Sequence, residues 1–171
     1  MRVVILIGVL AVTVSALFYL GQQIKHKTRL QDQLKRFPDV SLLTLDSIPV
    51  KSLQSISGEA SSLIIYFDSE CEHCQFEINE IHEQDKAFAG VDILFISSQP
   101  LKAIREFSKQ YNFNNAHATF FQITHEDLYQ NFGAGTVPHI FIYSKEKHLL
   151  KEFKGETKVS SITRYLLTAA N

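Results

Sequence analysis

Two cysteines stand in the chain, three positions apart, in Cys71-Glu72-His73-Cys74. At the start of a helix this spacing turns the first sulfur toward unpaired backbone N–H groups and the positive end of the helix dipole, which favour a thiolate. Cys71 is then the candidate nucleophile. Cys74, one turn on and facing inward, can attack a mixed disulfide on Cys71 and release the partner. A purely structural bridge is the weaker reading, because closing so small a loop removes only about 2 kcal/mol of unfolded-chain entropy. A zinc site would have to draw its remaining ligands from scattered histidines such as His82, His117 or His139. The residues between the thiols pull in opposite directions: a protonated His73 stabilises a neighbouring thiolate, whereas Glu72 adds a like charge, and their net sign is open. Glu77 follows Cys74 by one helical turn. It is either a proton acceptor for the dithiol or a solvated carboxylate favoured early in a helix by the dipole alone.

These residues need a strand that delivers them and a helix that receives them. Leu63-Ile64-Ile65-Tyr66-Phe67 is a continuous run of branched and aromatic residues, the pattern of a strand buried on both faces. Asp68-Ser69-Glu70 makes a loop, and Cys74, Ile78, Ile81 and Phe88 then trace one side of a helix. A second buried strand is expected over 91–96, a helix from Pro100 to about Tyr111, a third strand near 119–123 and a short helix near 126–131. After Gly133-Ala134-Gly135 come two strands, 139–143 and 149–153, joined by a turn as a hairpin, and a final helix over 159–167. Parallel strands joined by helices, closed by a hairpin and a helix, imply an α/β sandwich: a mixed sheet between helical layers.

The 171 residues suit one domain with an appendage, and a composition of 45% hydrophobic and 20% charged residues, with thirteen Phe, is that of a globular protein. A formal net charge of −1 leaves no basic footprint for nucleic acid. Val3 to Leu20 carries no charge, and these 18 residues reach roughly 27 Å as a helix, about the thickness of a bilayer core. They read as a retained membrane anchor, ahead of a signal peptide cleaved near Val14-Ser15-Ala16 and of a buried helix. The resulting division is an anchor over 1–21, a stalk over 22–37 and a folded domain over 38–171. Ile24, Leu30, Leu34 and Phe37 recur at helical spacing in the stalk, whose basic residues fit a solvated spacer better than a lipid surface.

From about Phe37 to Leu167 the chain resembles the thioredoxin superfamily, above all its membrane-tethered TlpA/ResA-like oxidoreductases. The likeness is carried by the Cys71–Cys74 motif with Glu77 behind it, by Gly135-Thr136-Val137-Pro138, and by an added strand and helix between Ala118 and Phe132. It implies a thioredoxin-like three-layer sandwich with an N-terminal transmembrane helix, and thiol-disulfide exchange with extracytoplasmic protein thiols. It further implies a cis Pro138 beside the dithiol, with Thr136 and Val137 meeting the partner's backbone. No cofactor beyond a redox-active Cys71–Cys74 disulfide is implied. The domain would face the periplasm from the inner membrane, although Lys25, Lys27 and Arg29 after the apolar run, against Arg2 before it, pull the other way. Glu70 stands where the family commonly has an aromatic residue. Ile64 and Asp68 occupy the places of the proline and the Thr or Ser of the peroxidatic pattern, which argues against peroxide reduction. His139 either hydrogen-bonds near the thiols or begins a strand. A different class of function, copper delivery or assembly without turnover, would use both thiolates with a histidine, but Met1 is the lone methionine.

Overall fold

A computed structural model describes residues 2–111, 113, 118–133 and 135–168, and not the side chains of 2–7, 9, 11, 26, 27 and 168. The elements are α1 (Arg2–Leu34), β1 (Leu42–Thr44), β2 (Pro49–Val50), β3 (Ser61–Tyr66), α2 (Glu72–Glu83), β4 (Val91–Ser97) and α3 (Leu101–Ser108). They continue with β5 (Ala118–Gln122), α4 (His125–Phe132), β6 (His139–Tyr143), β7 (Leu149–Lys154) and α5 (Val159–Thr168).

One seven-stranded sheet has the order β2-β1-β5-β4-β3-β6-β7. β3, β4 and β5 run parallel, while β6 pairs antiparallel with β3 and with β7. β3 is therefore central, as its unbroken apolar run requires, since a strand covered on both faces has no polar side to show. Alternate residues feed two cores. Leu63 and Ile65 join Cys74, Ile78 and Ile81 of α2, Phe107 of α3 and Ile162 of α5 on one face. Ile64 joins Leu94, Phe121, Phe141, and Leu128 and Phe132 of α4 on the other. The molecule is thus the expected mixed sheet flanked by helices. The short hairpin β1–β2, which adds an edge beside β5, was not foreseen.

The segment expected as a solvated stalk differs at its inner end. α1 runs unbroken through Gly21 to Leu34. Leu34 and Phe37 are buried in the second core, Leu30 packs against it, and Ile24 stays exposed. The chain beyond α1 is stitched to the β6–β7 turn, with Phe37 N–H donating to Lys147 O and Leu149 N–H to Lys35 O, each at 3.0 Å. The helical spacing of Leu30, Leu34 and Phe37 is thus used for docking. Among the described residues no helix is long and apolar enough to cross a membrane; in the anchor expected over 3–20, the side chains of 3–7, 9 and 11 are not among those described.

Candidate active site

β3 ends at Tyr66, and the loop 68–70 hands the chain to α2, with Cys71 as its N-cap (φ −84°, ψ 116°). The Cys71 carbonyl accepts from Cys74 N–H and Gln75 N–H, each at 3.0 Å, so the first turn closes around the motif. The loop is braced from its far side. Asp68 Oδ1 accepts from Glu70 N–H at 2.8 Å and from Gln99 Nε2 at 3.0 Å, while Ser69 N–H donates to Gln99 Oε1 at 2.8 Å. Gln99 lies just past β4 and escaped the sequence reading, because nothing local marks a glutamine that works across two strands.

The two thiols stand in different surroundings. Cys71 is half-buried and Cys74 fully buried, and both are free. Burial pushes the Cys74 thiol up to about 12, against a hydrogen bond from Asp68 N–H that favours the thiolate, with Cys71 and Asp68 adding to the rise. The Asp68 N to Cys74 Sγ distance is 3.5 Å.

Glu77 is not a solvated helix carboxylate: it is 1% exposed. Oε2 accepts from Thr157 N–H at 2.6 Å, and among the described residues Oε1 has no hydrogen-bond partner. Burial raises its carboxyl to about 7; the Thr157 bond opposes this, and Glu156 and Glu80 reinforce it. A carboxyl poised there is half ionised near neutrality, which a proton acceptor needs.

Glu72 and His73 are exposed at the start of α2, and His73 Nδ1 lies 2.8 Å from Glu156 Oε2. The Val137–Pro138 peptide bond is cis. Thr136 is exposed, Pro138 is buried, and Val137 packs against the same core cluster that Cys71 borders. The Pro138 carbonyl accepts from Gly155 N–H at 2.8 Å.

The idea that His139 hydrogen-bonds near the thiols is corrected. It begins β6, is 1% exposed, and pairs through Nε2 with Glu152 Oε1 at 2.7 Å. Its ring lies against Phe141, a residue of the second core, whereas Cys74 belongs to the first. The strand's period of two sends its side chain to the far face. Burial lowers its pKa, opposed by Glu152. His82 rests against the rings of Tyr111 and Phe113, and His117 lies outside the described residues. Among the described residues no group of three His, Cys, Asp or Glu could hold a metal ion.

A profile of the AhpC/TSA family matches residues 34–152. No curated protein matches the chain. Among solved structures, a thioredoxin-family thiol:disulfide interchange protein from Chlorobium tepidum is 17% identical, covering 80% of this chain and 97% of its own, at a TM-score of 0.66. A secreted Mycobacterium tuberculosis disulfide oxidoreductase, homologous to DsbE of E. coli, is 14% identical, covering 80% and 98%, at 0.62. A peroxiredoxin-like protein from Aquifex aeolicus is 18% identical, covering 79% and 85%, at 0.62. At such identities the likeness is one of fold, and that fold is thioredoxin-like.

Proposed function

This chain belongs to the AhpC/TSA family, and from that premise we propose that it is a thiol-disulfide oxidoreductase that exchanges disulfides with protein partners through Cys71 and Cys74. The observation that carries the reading is the inequality of the two thiols beside a buried carboxyl. Cys71 caps a helix and reaches the surface; Cys74 is shielded one turn on; Glu77 lies one turn further, poised near neutrality.

In the reducing direction, the Cys71 thiolate attacks a partner disulfide, forming a mixed disulfide and expelling one partner thiolate. Cys74 then gives its proton to the Glu77 carboxylate and attacks Cys71 Sγ, expelling the second. Two electrons pass from the dithiol to the partner, and the Cys71–Cys74 disulfide remains. The redox group is the dithiol itself, with no further cofactor. Partner backbone would lie along Thr136 and Val137 beside Pro138, as the TlpA/ResA-like resemblance implies.

Exchange is favoured over peroxide reduction because Ile64, at the position of the peroxidatic proline, is a fully buried residue in the middle of β3. Attachment to a membrane, with the domain on the periplasmic side, belongs to the same reading. It is supported by the uncharged run Val3 to Leu20 and by the exposed side chains of Leu10, Val12, Val14, Leu17 and Phe18 along α1.

The test is a redox titration of the full chain in detergent against defined thiol-disulfide buffers. A single two-electron transition is expected; a potential near about −270 mV makes the protein a reductant and one near about −120 mV an oxidant. Consumption of hydrogen peroxide with no exchange on protein disulfides would overturn the proposal.

A further inference from the structure

The turn between β7 and α5, Gly155-Glu156-Thr157, touches three parts of the site, and none of its residues stood out in the sequence. Gly155, in the left-handed region at φ 82°, donates its N–H to the carbonyl of cis Pro138. Glu156 meets His73 at 2.8 Å, and Thr157 N–H reaches Glu77 Oε2 at 2.6 Å. The turn is closed on itself by Thr157 Oγ1 donating to Gly155 O at 3.1 Å. Three consecutive residues therefore hold the proline that precedes β6, the histidine between the thiols and the buried carboxyl behind them.

We propose that Glu156 is a positioning residue for the proton step of the dithiol: its carboxylate, held by His73 and adjacent to Thr157, sets the pH at which Glu77 takes the proton of Cys74. The inference rests on the exchange reading above.

An ion pair as exposed as Glu156–His73 contributes little to stability, about 0–1 kcal/mol, so the pairing has small value as a strut. Its effect falls instead on Glu77, because that carboxyl is shielded from water and, among the described residues, has one hydrogen-bond donor. Besides Glu77, the titratable groups on α2 are Glu72, His73, Cys74, Glu80, His82 and Glu83, and of these Glu80 bears on the Glu77 carboxyl. Those on the turn are Glu156 and Lys158, the latter sharing with Glu80 and Glu156 the wall of a groove of about 540 Å³ between α2 and α5. Glu156 and Glu80 both disfavour a charge on Glu77. Glu156 also meets His73 at 2.8 Å, so the turn joins the histidine between the thiols to the buried carboxyl.

The reduced full chain, in detergent, is mixed with an aromatic disulfide whose released thiolate absorbs visible light. The first thiolate reports attack by Cys71. The second reports resolution by Cys74, the step in which Glu77 accepts a proton, and its rate is followed against pH. In the native chain this second phase rises through a midpoint that Glu77→Gln abolishes. Glu156→Gln is expected to move the midpoint to lower pH by roughly half a unit, a shift that shrinks in high salt because the removed charge is near the surface. Glu156→Asp, which keeps the charge, should move it less than half as far, and melting temperatures should stay together. A midpoint unmoved or raised in Glu156→Gln, while Glu77→Gln abolishes it, overturns the inference and leaves the exchange reading standing. If the native chain releases no second thiolate, the exchange reading itself fails.

Discussion

A sulfur at a helix cap and a sulfur one turn inside the same helix differ mainly in how much water each keeps. Cys74 has none, and its thiol is pushed up to about 12 by that burial. Cys74→Ser should therefore leave Cys71 able to attack and unable to be released, so that mixed disulfides with a disulfide-bearing protein accumulate on non-reducing gels. Cys71→Ser should trap few or none, and equal trapping by both variants would reverse the assignment. Glu77 makes a second prediction, and its sign differs from the usual carboxylate. Its folded value, about 7, lies above the ordinary 4.5. Between these pH values the unfolded chain loses the proton while the folded one keeps it, so stability falls as pH rises through that window, by an amount of the order of 3 kcal/mol. Glu77→Gln should remove the fall: in urea titrations its advantage over the native chain should be small at pH 4 and largest at pH 8. A constant difference at both pH values would show that Glu77 is not held neutral.

At the scale of elements, the strands that the sequence shows plainly are those whose burial is uniform. β3 and β4 read as strands because both faces are covered, and β6–β7 because a polar turn separates two apolar runs. The hairpin β1–β2 could not be read the same way: with three and two residues it is too short to display a period, and its place is set by pairing with β5. The site divides likewise. Cys71 and Cys74 were legible from their spacing, and Pro138 from the family resemblance. The burial of Glu77 was not, because it depends on a turn 80 residues away in sequence. Of the two readings open for His139, the structure bears out the start of a strand, and which face its side chain takes depends on where β6 begins. The docking of α1 on α4 yields a test of its own. Gly133 caps α4 at φ 58°, and a Cβ added there would stand 2.1 Å from Leu30 Cδ2. Gly133→Ala should cost about 1–3 kcal/mol, from left-handed strain plus displacement of Leu30. In Leu30→Ala the same substitution should cost less, a coupling readable in a double-mutant cycle of melting curves.

For the molecule as a whole, the proposed membrane attachment and its periplasmic orientation can be tested together. If the domain is periplasmic, an alkaline phosphatase fused after Asn171 should be active and a cytoplasmic reporter at the same point silent; the reverse would place the domain in the cytoplasm. The unbroken α1 then has a geometric consequence. A flexible tether would let the dithiol sweep a broad volume, but a helix that passes from the apolar run into the second core without a break gives it a height and a heading. The ten residues from Gly21 to Leu30 amount to about 15 Å of rise. Each residue inserted among them would lift the domain by about 1.5 Å and turn it by roughly 100° about the helix axis. Two inserted residues would swing Cys71 to nearly the opposite bearing, while seven would return it almost to its original bearing, one heptad higher. Turnover of a membrane-bound partner should then follow the phase of the insertion rather than its length, whereas exchange with a soluble partner would be equal in all.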